Sequence, residues 1–122
     1  PNRYYRRFII QSGRKQREIL APKVGLKMIQ SWIGFHLAKK ISLPLHVFGF
    51  VKGKSHIDAA WMHRNAAWAY SIDIENFFGS TPSSIIVNVL CSLGYTMEQA
   101  SLISRICCLN GYLPQGSPAS PV

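Results

Sequence analysis

The chain has 122 residues, which is enough for one modest domain with a core of its own. Its three cysteines are odd in number and show no metal-ligand spacing, which argues against a disulfide-stabilised secreted domain and a zinc site. No apolar run is long enough to span a bilayer, and no signal-peptide pattern is present.

The formal charge of +9 is concentrated in the first half of the chain. Residues 1–54 contain twelve of the fourteen Lys and Arg residues and one acid, Glu18, for a net charge of +11. Residues 55–122 carry a net charge of −2. A basic half beside a slightly acidic half indicates a surface for a polyanion, although a generally basic protein with solvated charges would look similar.

The first half of the chain predicts a hairpin followed by a long helix. Two β-prone segments, residues 4–11 and 17–21, flank the turn sequence Ser12-Gly13-Arg14-Lys15. Apolar residues at helical spacing then predict a helix over 24–40 with a core-facing stripe. That stripe consists of Leu26, Ile29, Ile33 and Leu37.

The second half predicts shorter elements. Residues 46–54 are expected to be extended and 56–67 to form a short helix, and 69–74 has the composition of a buried strand that ends at Asp73. The sequence Ser80-Thr81-Pro82 predicts a helix start with a capping hydroxyl, and that helix is expected to close at Gly94.

A capping box, Thr96-x-x-Gln99, opens a last predicted helix over 96–109. Cys91 and Cys107 lie on apolar helix faces and are expected to be reduced core thiols. The complete order, β-β-α-β-α-β-α-α, is typical of an α+β fold.

Asp73 is the sharpest chemical feature of the sequence. An acid at the end of an apolar strand is costly unless a positive group compensates it, and a divalent metal in a phosphoryl-transfer site does so. A helix cap or an ordinary acid at the end of a strand would give the same pattern.

Two further segments could be taken for ligand-binding loops. The sequence from Gly49 to Ser55 resembles a phosphate-binding P-loop, but we reject this interpretation because it has one residue too few between its glycines. The segment from Leu113 to Pro118 is either a plain surface turn or a loop in which Gly116 lets the backbone approach a ligand closely.

Taken in order, four blocks resemble the first four blocks of reverse transcriptases, and most closely those of bacterial retrons. The first block runs from Phe8-Ile-Ile through Gly13-Arg-Lys-Gln-Arg17 to Leu26-Lys27 and Gln30, and the second is His46-Val-Phe-Gly-Phe-Val-Lys-Gly-Lys-Ser55. The third is Ser71-Ile-Asp73-Ile-Glu-Asn-Phe-Phe78, and the fourth is Leu113-Pro-Gln115-Gly-Ser117-Pro.

The resemblance implies a role for each matching position. Asp73 resembles the first metal-binding aspartate of a polymerase palm, with the backbone carbonyl of Ile74 on the same Mg²⁺. Phe78 resembles the steric gate beneath the sugar of the incoming nucleotide. Arg17, Lys15, Gln115 and Gly116 resemble nucleotide-binding residues. The expected nucleic-acid contacts are Arg14, Lys15, Lys27, Lys52 and Lys54.

The sequence departs from the family pattern at two places. The family often has a Lys where this chain has Gln11, so Lys15 is expected to substitute for it. The Tyr-x-Asp-Asp block is absent, and two-metal chemistry needs further carboxylates. The resemblance therefore implies a fingers-like region, residues 1–68, and a partial palm, residues 69–122, that is inactive without the rest of the polymerase.

The full enzyme implied by the resemblance is a cytoplasmic bacterial RNA-directed DNA polymerase that uses two Mg²⁺ ions. Its expected partners are a structured RNA template, the DNA product, deoxynucleoside triphosphates and the remaining palm and thumb, and its expected role is antiviral defence. A group II intron-like or other defence-associated reverse transcriptase is an alternative. A basic RNA-binding module without catalysis is the alternative from another class.

Overall fold

The computed structural model describes residues 3–13 and 15–121. The described residues form a mixed α+β structure, which confirms the predicted class. Its strands are β1 (Tyr5–Ser12) and β2 (Lys15–Pro22). Its helices are α1 (Val24–Lys40), α2 (His56–Met62), α3 (Phe77–Ser80), α4 (Ser83–Ser92) and α5 (Met97–Cys107). No helix in this part of the chain is long and apolar enough to cross a membrane.

Strands β1 and β2 form the predicted antiparallel hairpin, with Tyr5 opposite Pro22 and Ser12 opposite Lys15. The turn between them includes Gly13, whose φ of 61° lies in the left-handed region that glycine adopts without strain. Arg14 lies outside the described residues. The hairpin is therefore fixed locally, by its turn and by its own ladder of hydrogen bonds.

Helix α1 has the boundaries that its apolar periodicity predicts. It contacts β2 and α5 with one face, on which Gln30 and Ile33 are buried. The prediction that Ile29 belongs to the core is wrong, because this side chain is 50% exposed. At 100° per residue Ile29 lies at the edge of the face centred between Ile33 and Gln30. The opposite face exposes Val24, Met28, Trp32 and Phe35.

Helices α4 and α5 pack against each other and contribute Leu90, Ala100 and Cys107 to the core. Between them, Gly94 has a φ of 91° and the backbone N–H of Tyr95 donates to Leu90 O at 3.1 Å, so the predicted helix end is confirmed.

The predicted capping box is also present at the start of α5. The Gln99 N–H donates to Thr96 Oγ1 at 3.3 Å, and the Thr96 N–H donates to Gln99 Oε1 at 3.0 Å. The capping hydroxyl predicted for α4 within Ser80-Thr81-Pro82 is wrong, because the N-cap residue is Pro82 and no side chain caps the helix. Ser80 ends the one-turn helix α3, and the Thr81 hydroxyl donates to Phe77 O at 2.7 Å. The Ser80 N–H donates to Asn76 O.

The core thiol prediction holds for Cys107, which is buried, whereas Cys91 is partly exposed. Burial raises the pKa of Cys107 to about 12, with the neighbouring Cys108 thiol as a second cause. The Cys107 thiol is therefore protonated at neutral pH and behaves as a small apolar side chain.

Between α1 and α3 the structure departs from the predictions. Residues 46–54 form turns instead of an extended segment, and the predicted helix α2 is present but ends at Met62 instead of at residue 67. Residues 69–74 form no strand, and Tyr70 and Ile72 are each 80% exposed. A strand needs a neighbour to satisfy its backbone, and within the described residues β1 and β2 pair only with each other.

Candidate active site

An open cleft of about 820 Å³ lies between the hairpin, the segment that leads into α3, and the loop after α5. Three stretches of chain that are distant in sequence form its walls. The lining residues are Gln16, Arg17, Glu18, Asp73, Ile74, Glu75, Asn76, Phe77, Phe78 and Gln115.

Five of the predicted site residues line this cleft: Arg17, Asp73, Ile74, Phe78 and Gln115. Gly116 follows directly in the loop. The predicted nucleic-acid contacts Lys27, Lys52 and Lys54 lie elsewhere, on α1 and in the turns before α2. Arg14 is outside the described residues, and the side chain of Lys15 is not described. The structure thus gathers the predicted nucleotide-binding residues more closely than the predicted RNA-binding residues.

The loop after α5 is held against β2 by backbone contacts. The Leu20 N–H donates to Gln115 O at 2.9 Å. Gly116 has a φ of 111°, and a Cβ atom at this position would lie 2.8 Å from Ile19 Cγ2. Only glycine suits this conformation at so short a distance. The loop therefore approaches β2 closely, and Gln115 and Arg17 line the same cleft.

The buried side chain of Gln30 hydrogen-bonds to several of the elements around the cleft. Its side chain is fully buried, and its Nε2 donates at 2.8 Å to both Tyr5 Oη and Ile106 O. The Ser117 hydroxyl donates to Gln30 Oε1, also at 2.8 Å. One amide thus joins β1, α1, α5 and the loop. Burial raises the pKa of Tyr5, so its hydroxyl remains available as a neutral hydrogen-bonding group.

Sequence reasoning placed Gln30 and Ser117 in the blocks that carry the resemblance but gave neither a function. A signal was present, because Gln30 interrupts the apolar stripe that includes Leu26 and Ile33. A polar amide on a core-facing stripe must find partners for its hydrogen-bonding atoms. The partner Ser117 could not be read from the sequence, since it lies 87 residues away.

Along the cleft, the chain turns at Asn76, whose φ of 49° lies in the left-handed region, and α3 begins at the next residue. Phe77 and Phe78 contact each other edge to face, with ring centroids 5.5 Å apart. In an extended strand these two rings would point to opposite faces, with Phe77 inward and Phe78 toward the site, but no strand forms here. Both begin a helical turn and line the cleft, and Phe77 is 46% exposed.

Asp73, Ile74 and Glu75 are consecutive residues that line the cleft. Carboxylate and backbone carbonyl oxygens are ligands that Mg²⁺ prefers. Within the described residues no group of three or more His, Cys, Asp or Glu residues could hold a metal ion. By themselves, the described residues therefore form no complete metal site of these ligand types.

The chain has relatives among known proteins. No protein-family model matches it. Over 108 residues, or 88% of the chain, it is 35% identical to the retron Ec86 reverse transcriptase of Escherichia coli. The chain is a homologue of retron reverse transcriptases.

A second retron reverse transcriptase, Se72 of Salmonella heidelberg, is 29% identical over 119 residues, or 95% of the chain. The retron resemblance stated from the four blocks is thereby confirmed. The alignments cover 34% and 31% of these two retron reverse transcriptases, so the chain spans about a third of the length of the curated relatives it matches.

Proposed function

We propose that the chain supplies the fingers, residues 1–68, and part of the palm, residues 69–122, of an RNA-directed DNA polymerase of the retron type. The observation that carries this proposal is the shared cleft, which brings Arg17, Asp73, Phe78 and Gln115 together from three separate segments. The names of the two relatives support the same activity for the whole protein.

In this proposal the cleft receives a deoxynucleoside triphosphate. The guanidinium of Arg17 binds phosphate oxygens, for which its planar fork of N–H donors is suited, and Lys15 adds a second positive charge. Gln115 and Gly116 frame the nucleotide from the loop. Phe78 lies beneath the sugar. The contact between Gln115 O and the Leu20 N–H keeps the two sides of this site at a fixed distance.

Asp73 and the Ile74 carbonyl would hold Mg²⁺. When bound, the two ions of a complete site neutralise charge on the phosphate oxygens and on the attacking hydroxyl. The carboxylate of Asp73 lies beside the cleft rather than in the core, so it can bind a cation without first losing a buried partner. The further ligands would come from the rest of the polymerase.

The basic residues outside the cleft are proposed to bind the phosphate backbone of a structured RNA template and its DNA product. Lys27 and Lys52 are both exposed, and Arg14 and Lys15 follow Gly13 directly in the sequence. These contacts contribute affinity without reading sequence. The whole protein is proposed to act in the bacterial cytoplasm as part of an antiviral defence system.

Asp73→Asn in the full-length protein tests the proposal. Asparagine keeps the shape of the side chain but removes the charge that holds the metal, so primer extension should fall to a few per cent or less of the wild-type rate. RNA affinity should stay within about twofold. Glu98→Gln, which removes a negative charge in the first turn of α5, is the control and should retain extension.

Residues 1–122 alone should not extend a primer, because they carry no second block of carboxylates. Extension by this segment alone, or an Asp73→Asn protein that extends normally with Mg²⁺, would contradict the proposed function. A full-length protein that binds RNA but never extends a primer would instead point to a basic RNA-binding module.

A further inference from the structure

The turns between α1 and α2 form a loop, Leu45–Lys54, in which an ammonium group adds to two turn hydrogen bonds, from the Val47 N–H to Pro44 O and from the Lys54 N–H to Val51 O. Lys54 Nζ donates to Leu45 O at 2.7 Å and to Val47 O at 2.8 Å. It also lies 4.9 Å from the centroid of the Phe48 ring. The charge that the sequence suggested for nucleic-acid binding is thus used inside the loop, where it bridges two carbonyls and a ring.

Phe50, at the tip of this loop, combines two unfavourable features. Its side chain is 88% exposed, and its backbone φ is 58°, in the left-handed region that a bulky residue rarely adopts. An ordinary loop would relieve both features with a glycine or asparagine, and glycines are present on either side at Gly49 and Gly53. A strained and exposed aromatic in a braced loop indicates a binding contact.

The charge around the loop narrows the class of partner. Between Glu18 and Asp58 the sequence contains six lysines and no acid, so this stretch of the chain favours an anionic partner. Lys52, two residues from Phe50, is exposed. An exposed aromatic ring close to an exposed cation is a combination that binds single-stranded nucleic acid, since the ring stacks on a base while the cation binds phosphate.

We propose that Phe50 stacks on an unpaired base of single-stranded RNA and that Lys54 is a positioning residue that holds the loop in the conformation that presents this ring. Lys52 binds an adjacent phosphate. The inference rests on the proposed function in that the RNA is a template strand, but it concerns residues outside the cleft. A paired base would not expose its face to the ring, so duplex RNA should gain nothing from Phe50.

The test uses the full-length protein and a short RNA of unstructured sequence that carries 2-aminopurine, a base whose fluorescence falls on stacking. Phe50→Ala should weaken the affinity for this RNA by roughly tenfold, as the loss of one base–aromatic contact does. It should also remove part of the fluorescence decrease, and it should not change the affinity for duplex RNA. Phe50→Trp should bind the single-stranded RNA as tightly as the wild type does.

Leu45→Ala is the exposure-matched control, because its side chain is 87% exposed in the same loop and its carbonyl, which accepts from Lys54, is retained. It should leave the affinity unchanged. Lys52→Ala should lower the salt dependence of binding by about 0.7 in the log–log slope. Lys54→Ala should weaken binding as Phe50→Ala does but leave that slope unchanged, since its charge is engaged within the loop.

Equal affinities of the Phe50→Ala and wild-type proteins for single-stranded RNA would overturn the inference. The inference would also be overturned if Leu45→Ala lowered the RNA affinity as much as Phe50→Ala does. The same holds if Lys54→Ala reduced the log–log salt dependence of binding, as the loss of a phosphate contact does. If the wild type extends primers and Asp73→Asn does not, the proposed function stands whatever Phe50→Ala does, so the two failures are distinguishable.

Discussion

The Ser117 hydroxyl donates a 2.8 Å hydrogen bond to Gln30 Oε1 in the interior of the protein. Gln30 lies in the middle of α1 and Ser117 in the loop after α5, so this bond connects the hairpin side of the cleft to the loop that carries Gln115. Both side chains are buried, at 0% and 4% exposure. Neither could be left unpaired without a penalty, because buried polar groups have no water to bind instead.

Gln30→Leu should therefore lower the free energy of unfolding by about 2–4 kcal/mol, since it leaves the Ser117 hydroxyl, Tyr5 hydroxyl and Ile106 carbonyl without their shared partner. Ser117→Ala removes the bond to Gln30 Oε1 and the 3.4 Å bond that Ser117 Oγ accepts from the Ala119 N–H, and it should cost about 1–3 kcal/mol. Chemical denaturation of both variants and of the double variant measures this. Additive effects would contradict the coupling that the hydrogen bond implies.

Gly116→Ala should destabilise the protein by about 1–3 kcal/mol and displace the loop from β2, because the new Cβ meets Ile19 Cγ2 and the backbone has a positive φ. Gly25→Ala is the matched control within α1, where a Cβ meets no atom within 4 Å. It should stabilise the protein by about 0.5–1 kcal/mol. Thermal unfolding of both variants provides the measurement, and a Gly116→Ala protein as stable as the wild type would show that the loop is not held in this conformation.

Phe78→Ala in the full-length protein should relax the exclusion of ribonucleotides. A rigid ring beneath the sugar discriminates by a clash with the 2′-hydroxyl, so removal of the ring should lower the ratio of kcat/KM for deoxy- over ribonucleotides at least about tenfold, or about 1.4 kcal/mol. Single-nucleotide incorporation measures the ratio.

Phe77→Ala is the comparison for this prediction, since both rings line the cleft and contact each other. It should lower stability or overall rate with a smaller effect on sugar selection. If Phe77→Ala relaxes selection and Phe78→Ala does not, the two roles are reversed. If neither variant does, the steric gate lies elsewhere.

Replacement of Arg14 and Lys15 together should flatten the salt dependence of RNA binding by about 1–2 units of log–log slope, because each cation that leaves a phosphate reduces the number of counterions released. Lys39 and Lys40, which lie over the rings of Phe35 and Tyr95, form the charge-matched control pair. A slope that is unchanged when Arg14 and Lys15 are replaced would place the RNA away from the hairpin turn.

Much of the local structure was determined by the sequence alone. The hairpin around Gly13, helix α1, the glycine end at Gly94 and the capping box of Thr96 and Gln99 were all predicted. Each depends on residues within a few positions of one another, for which backbone preferences and short-range hydrogen bonds suffice. The four blocks likewise identified the retron relationship, since they are read as residues in order.

Only the tertiary structure decided which distant residues meet. It joined Gln30 to Ser117 and brought Gln115 against β2. It directed the Lys54 ammonium group to backbone carbonyls of its own loop. It also left 69–74 without a strand, because whether an apolar extended segment becomes a strand depends on a neighbour and not on its own composition. Such pairings are set by the path of the whole chain, and no local pattern records them.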